Sequence, residues 1–116
     1  LALPVVMEFN AAQPETIALY ALLARECGLC PAGSADPEAS AALVGRVREL
    51  LSLAGFPASL DELGFTKEEI PSLAKEASEQ WTAGFNPRPV EAGDFARLYA
   101  SLFSSASCHS QPQEIL

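Results

Sequence analysis

The 116-residue sequence has one histidine, His109, only seven lysines and arginines, and no apolar run near the ~18 residues needed to span a bilayer. Each scarcity closes a class of function. With one histidine, no Ser-His-Asp, Cys-His or multi-histidine metal arrangement can be assembled from this chain. Fifteen acidic residues bring the net charge to −8, which leaves no basic footprint and excludes nucleic acid and membrane surfaces as partners. Glycines occur singly, so there is no phosphate-cradling loop. Sustained period-two alternation and Asn-Gly or Asp-Gly hairpin signals are both lacking. The fold class is therefore all-α, a compact bundle of about four to five helices. No basic stretch precedes the apolar N-terminal segment, so no secretory signal is read there, and the odd set Cys27, Cys30 and Cys108 fits a reducing cytoplasm.

What the chain does have is Ala, Leu, Ser and Glu at helical spacing. With 49% hydrophobic and 19% charged residues it reads as one folded domain over residues 1–104, followed by a flexible polar tail over 105–116. The opening segment, LALPVVMEFN, is apolar from its first residue and has the look of something cut from a longer chain. Pro14-Glu15 suits a first helical turn, and that helix runs to about Cys27 with Ile17, Tyr20, Ala21 and Ala24 on one stripe and Gly28 as its stop. Asp36 is the expected N-cap of a long helix to Ala54, closed by Gly55, with Ala39, Leu43, Val47, Leu50, Leu51 and Ala54 inward and Arg46, Arg48 and Glu49 wet. Ser59 to Glu62 and Thr66 to Glu69 both have capping-box form. A turn ending at Gly64 and a helix from Pro71 follow, with Ile70, Leu73, Ala74, Ala77 and Trp81 sharing a face. A last helix ends near Ser104, with Phe95, Leu98, Tyr99 and Leu102 inward.

Two constellations carry the form of chemistry without its context. Cys27-Gly28-Leu29-Cys30 is a CxxC, but Cys27 falls at a helix C-terminus, where the negative dipole end disfavours a thiolate. A zinc site would have to recruit Cys108 and His109 from the tail at irregular spacing. The thiols read as structural. Asp61-Glu62 and Glu68-Glu69 fall in first turns, where capping and the dipole account for them.

The segment that helical packing does not explain is WTAGFNPRPV, Trp81 to Val90. Asn can bond its neighbouring backbone, the prolines restrict the dihedrals around them, and Arg88 can clamp carbonyls at a helix end, so the loop is rigid. Asn86-Pro87-Arg88-Pro89-Val90, with Asp94 and Leu98-Tyr99 in the helix after it, resembles the C-terminal signature of the iron-containing (group III) alcohol dehydrogenases. Other pieces match in the family's order: Leu3-Pro4, Val6-Met7 and Asn10; Pro57 to Leu60; Glu62 to Gly64; Glu68 to Pro71 with Leu73-Ala74. One departure is Val5, where the family commonly has histidine.

The resemblance covers about Leu1 to Phe103. It implies the C-terminal portion of a dehydroquinate synthase-like helical domain over residues 1–104, in an enzyme that moves hydride between an alcohol or aldehyde and NAD(P). It also implies that Trp81, Thr82 and Phe85 line the substrate cavity while Asn86, Pro87, Arg88 and Pro89 hold that wall. The family's nucleotide-binding domain, and the Asp and three His that hold Fe²⁺ or Zn²⁺, lie upstream of where Leu1 aligns. No catalytic residue, metal ligand or cofactor contact is therefore assigned to this chain, which is expected to be inactive alone. Its implied partners are the nucleotide-binding domain and the rest of the helical domain. Without them, Leu3, Val6, Met7 and Phe9 are expected to be partly uncovered and to drive self-association. The rival readings are an acidic all-α module that docks a partner helix, and a small metal or redox protein built on Cys27 and Cys30.

Overall fold

The computed structural model describes residues 1–104, and the expected flexible tail, with Cys108 and His109, lies outside the described residues. Among the described residues there are five α-helices: α1 (Leu3–Asn10), α2 (Pro14–Glu26), α3 (Asp36–Leu53), α4 (Ile70–Ser78) and α5 (Ala92–Ser101). Three short 3-10 turns, Asp61–Leu63, Lys67–Glu69 and Trp81–Phe85, punctuate the second half, and no strand occurs among the described residues. The chain is all-α.

The helices pack as two hairpins, α2 on α3 and α4 on α5, with α1 touching both α3 and α5. The α2–α3 seam closes over small residues. Ala21, Ala24 and Ala39 are completely buried, with Leu29, Cys30 and Leu43 packed around them. Alanines let the two backbones approach closely, but they leave little apolar volume inside. Accordingly no large side chain is fully buried among the described residues, and Leu19, Leu22 and Leu23 stand out of the opposite face of α2. Long-range bonds tie α3 to α1, and the segment between α3 and α4 to the end of α5. Arg48 grips Glu8 through two contacts of 2.9 and 3.1 Å, the Leu60 N–H donates to the Leu102 carbonyl at 2.8 Å, and the Ser104 N–H donates to the Asp61 carboxylate at 2.9 Å.

Glycine stops where they were read: Gly28, Gly55 and Gly64 have φ of 71°, 82° and 91°, the left-handed region that a side chain resists. The Thr66–Glu69 capping box forms. Several expectations are corrected. Asp36 is the first residue of α3 rather than its cap, because its carboxylate is taken by Arg25 at 2.6 Å. Ser59 bonds the Glu62 side chain at 3.2 Å and caps no backbone group. Leu50 and Ala54 are exposed, while Ser40 and Val44 are buried. The reason is that α3 faces two neighbours in turn: Ala39 and Leu43 meet α2, whereas Arg48 meets α1, so the inward stripe rotates along the helix. Met7 is 8% exposed, not uncovered, although Leu3 is exposed and Val6 and Phe9 are half-buried. Trp81 does not share a face with α4. Gln80 adopts an extended conformation, which breaks the helical register after Ala77 and leaves Trp81 76% exposed.

Candidate functional site

The WTAGFNPRPV segment folds as a 3-10 turn, Trp81–Phe85, followed by bends over 86–88, with Asn86 itself extended. It lies against the C-terminal end of α1. A helix end presents carbonyls with no partner inside the helix, and here the loop supplies one. Arg88 donates to the Phe9 carbonyl at 2.8 Å, and its guanidinium stacks on the Phe9 ring, 3.8 Å from the centroid. Beside it, Asn10 and Asn86 bond each other reciprocally at 3.0 and 2.7 Å, and the Asn86 amide also donates to the Arg88 carbonyl at 2.6 Å. Asn10 is 4% exposed, so this pairing satisfies groups that water does not reach.

Between this loop, α1, α4 and α5 lies a cleft of about 620 Å³. Its floor is apolar, with Val6, Phe9, Leu73, Ala77, Phe95 and Leu98. Thr82, Tyr99, Gln80, Glu76 and Asn86 are the polar residues of its lining. A cleft of this size, apolar with few polar groups, has the dimensions of a small-molecule site. Of the residues assigned to a cavity by resemblance, Thr82 and Phe85 line the cleft, and Trp81 does not. Trp81 stands outside it, edge-on to Phe85 at 5.4 Å. Asn86 and Pro87 form part of the wall; Arg88 turns back to α1, and Pro89 is exposed.

Among the described residues no nucleophile with an adjacent base lines this cleft; its ionisable members there are Glu76 and Tyr99. Among the described residues no three His, Cys, Asp or Glu side chains converge where a cation could sit. The donor set for Fe²⁺ or Zn²⁺ is not contained in them. What the arrangement can do is shape and polarise one side of a site. Cys27 is exposed at the end of α2 and Cys30 packs beside the alanine seam, both as free thiols away from the cleft.

The frame of the site is anchored electrostatically at α5. Glu91 and Asp94 form a reciprocal capping box, and the Glu91 N–H, then Arg97, hold the Asp94 carboxyl below the usual carboxylate range. Acidic residues stand at both positions of this box, a form that the Ser/Thr-x-x-Glu pattern does not match. Asn10 is a second member of the site that local pattern does not mark. A buried amide at a helix end is a detectable signal, but its partner lies 76 positions away.

Residues 1–103 match the family described as Fe-containing alcohol dehydrogenase family, C-terminal. The chain is 32% identical over 106 residues to 1-propanol dehydrogenase PduQ of Salmonella typhimurium, covering 88% of this chain and 29% of that protein. It is 36% identical over 99 residues to lactaldehyde reductase of Escherichia coli, covering 85% of this chain and 25% of the relative. The chain thus spans between a quarter and three-tenths of the length of these relatives.

Proposed function

The chain belongs to the Fe-containing alcohol dehydrogenase family, and from that premise we propose that it forms one wall of the substrate site of a cytoplasmic NAD(P)-dependent oxidoreductase interconverting an alcohol and an aldehyde. The observation that carries this reading is the cleft walled by Thr82 and Phe85, with the turn that bears them secured to α1 through Asn86 and Arg88. In this reading Thr82 and Phe85 contact substrate, and Asn86, Pro87, Arg88 and Pro89 hold the wall. Nicotinamide cofactor and Fe²⁺ or Zn²⁺ would be held by the remainder of the protein, which supplies hydride acceptance and polarisation of the alcohol oxygen.

The partners are that remainder, together with a second copy when the chain is isolated. Self-association would run through Leu3 and the outer leucines of α2, since Met7 is committed to the interior. The 116-residue chain by itself should neither oxidise alcohols nor bind NAD(P), whereas a metal-loaded longer protein that contains it should oxidise simple primary alcohols. Calorimetry and an NAD(P)H absorbance assay on both proteins test this. Micromolar NAD(P) affinity in the isolated chain, or a metal-loaded longer protein inert toward alcohols and aldehydes, would contradict it.

A further inference from the structure

We propose that Asn10 is a positioning residue for the Trp81–Phe85 turn, setting through Asn86 the register in which Thr82 and Phe85 meet the cleft. The inference rests on the reading of that wall given above. The Asn86 side-chain nitrogen is committed to two acceptors, Asn10 Oδ1 at 2.7 Å and the Arg88 carbonyl at 2.6 Å. Its orientation is fixed by both, so Asn86 Oδ1 is left pointing at Asn10 Nδ2, 3.0 Å away.

Position 10 must therefore donate and accept at once from one planar end, a demand that a carboxamide meets and a carboxylate or an alkyl group does not. Burial raises the cost of failing it, since an unmatched polar group here has no water to fall back on. The geometry also explains why the pin reaches the turn. Asn86 is the residue on which the 3-10 turn ends, and its own N–H donates to Ala83 at 3.2 Å. Rotating the Asn86 side chain to find another partner would break the bond to Arg88, whose guanidinium is held on Phe9, the neighbour of Asn10. The pin is thus a closed circuit between the last two residues of α1 and the loop, and Arg88 is the charged group built into it.

The test uses the full chain in solution, with Trp81 as the single tryptophan reporter on the turn. In the wild type, the side-chain NH₂ protons of Asn10 and Asn86 should exchange about tenfold or more slowly than that of exposed Gln80, measured by NMR. Asn10→Ala should reduce the near-UV circular dichroism of Trp81 by about half or more below the unfolding transition while the helical signal at 222 nm persists. Asn10→Asp should match Asn10→Ala at neutral pH and recover the Trp81 band, relative to wild type at the same pH, once acid gives its carboxyl a proton to donate to Asn86 Oδ1. A merely structural role moves the melting temperature and leaves that recovery out. An unchanged Trp81 band in Asn10→Ala, or no acid recovery in Asn10→Asp, overturns the proposal. Should the variants unfold, side-chain exchange in the wild type decides, and rates equal to those of Gln80 refute it. Neither readout involves catalysis, so failure of the pin and failure of the dehydrogenase reading are separately visible.

Discussion

Replacing Arg88 by alanine removes two contacts from the end of α1 at once. The first is a charge-assisted hydrogen bond to the Phe9 carbonyl at 2.8 Å, of a kind worth about 1.5–3 kcal/mol when one partner is ionised. The second is the guanidinium stacked 3.8 Å above the Phe9 ring, a contact that contributes ~0.5–2 kcal/mol depending on how far it is desolvated. Arg88 is only half-buried, and the Phe9 carbonyl keeps a longer 3.3 Å bond from the Ala12 N–H, so the lower half of the combined range applies. Arg88→Ala should destabilise the chain by about 2–3 kcal/mol, a fall in melting temperature on the order of 10 °C for a domain of this size. Arg88→Lys keeps the charge and loses the planar stack, so its cost should be roughly half of that. Urea unfolding followed at 222 nm measures both, with the slope against denaturant unchanged if the native and unfolded states keep their compactness. For comparison, Glu68→Ala removes an exposed first-turn charge worth ~0.3–1 kcal/mol. An Arg88→Ala cost no larger than that of Glu68→Ala would refute the clamp, and an Arg88→Lys variant equal to wild type would show that only the charge matters.

Two further outcomes follow from the same geometry. The carboxyls of Asp61 and Asp94 are held below the usual range, chiefly by the backbone N–H groups of Ser104 and Glu91 respectively. Their folded-state values are depressed, so the stability they contribute is present above an unfolded value of about 3.9 and is lost as pH falls through the lower, folded value. Denaturation below about pH 4 should therefore weaken in pH dependence when both are changed to Asn; an acid limb identical to wild type would show that these bonds do not survive in solution. Leu22 is 53% exposed between Leu19 and Leu23, and burying a whole leucine is worth ~1.5–3 kcal/mol, so Leu22→Glu should shift the isolated chain toward monomer in sedimentation experiments. A wild-type chain that stays monomeric at high concentration would remove the basis for that variant.

Local grammar was the legible part of the fold. Gly28, Gly55 and Gly64 end elements because left-handed φ favours glycine, and the Thr66–Glu69 box is complete within four residues. Such signals need no knowledge of the rest of the chain. What stayed hidden depends on partners distant in sequence or on competition between bonds. Asp36 has the chemistry of a cap, yet Arg25 outbids the backbone for its carboxylate, and nothing within the Asp36 helix announces that. Leu50 matches the helical period that half-buries Leu43, but α3 changes neighbours along its length and turns Leu50 outward. At the candidate site, the loop's rigidity could be read from Asn86, Pro87 and Pro89, whereas its anchorage on Phe9 and Asn10 is visible only in three dimensions. Trp81 shows the same limit, since one extended residue, Gln80, moves it from a predicted shared face to solvent.

The central claim, that this chain walls a substrate site whose cofactor and metal lie elsewhere, is met most directly by one kinetic comparison. In the metal-loaded longer protein, Thr82→Trp puts a large side chain at the cleft wall and leaves the residues of the Asn10–Asn86 pair and the Arg88 clamp unchanged. The account predicts that KM for the alcohol rises about tenfold or more while KM for NAD(P) stays within about twofold of wild type. Unchanged alcohol kinetics, or a loss confined to NAD(P), would contradict it.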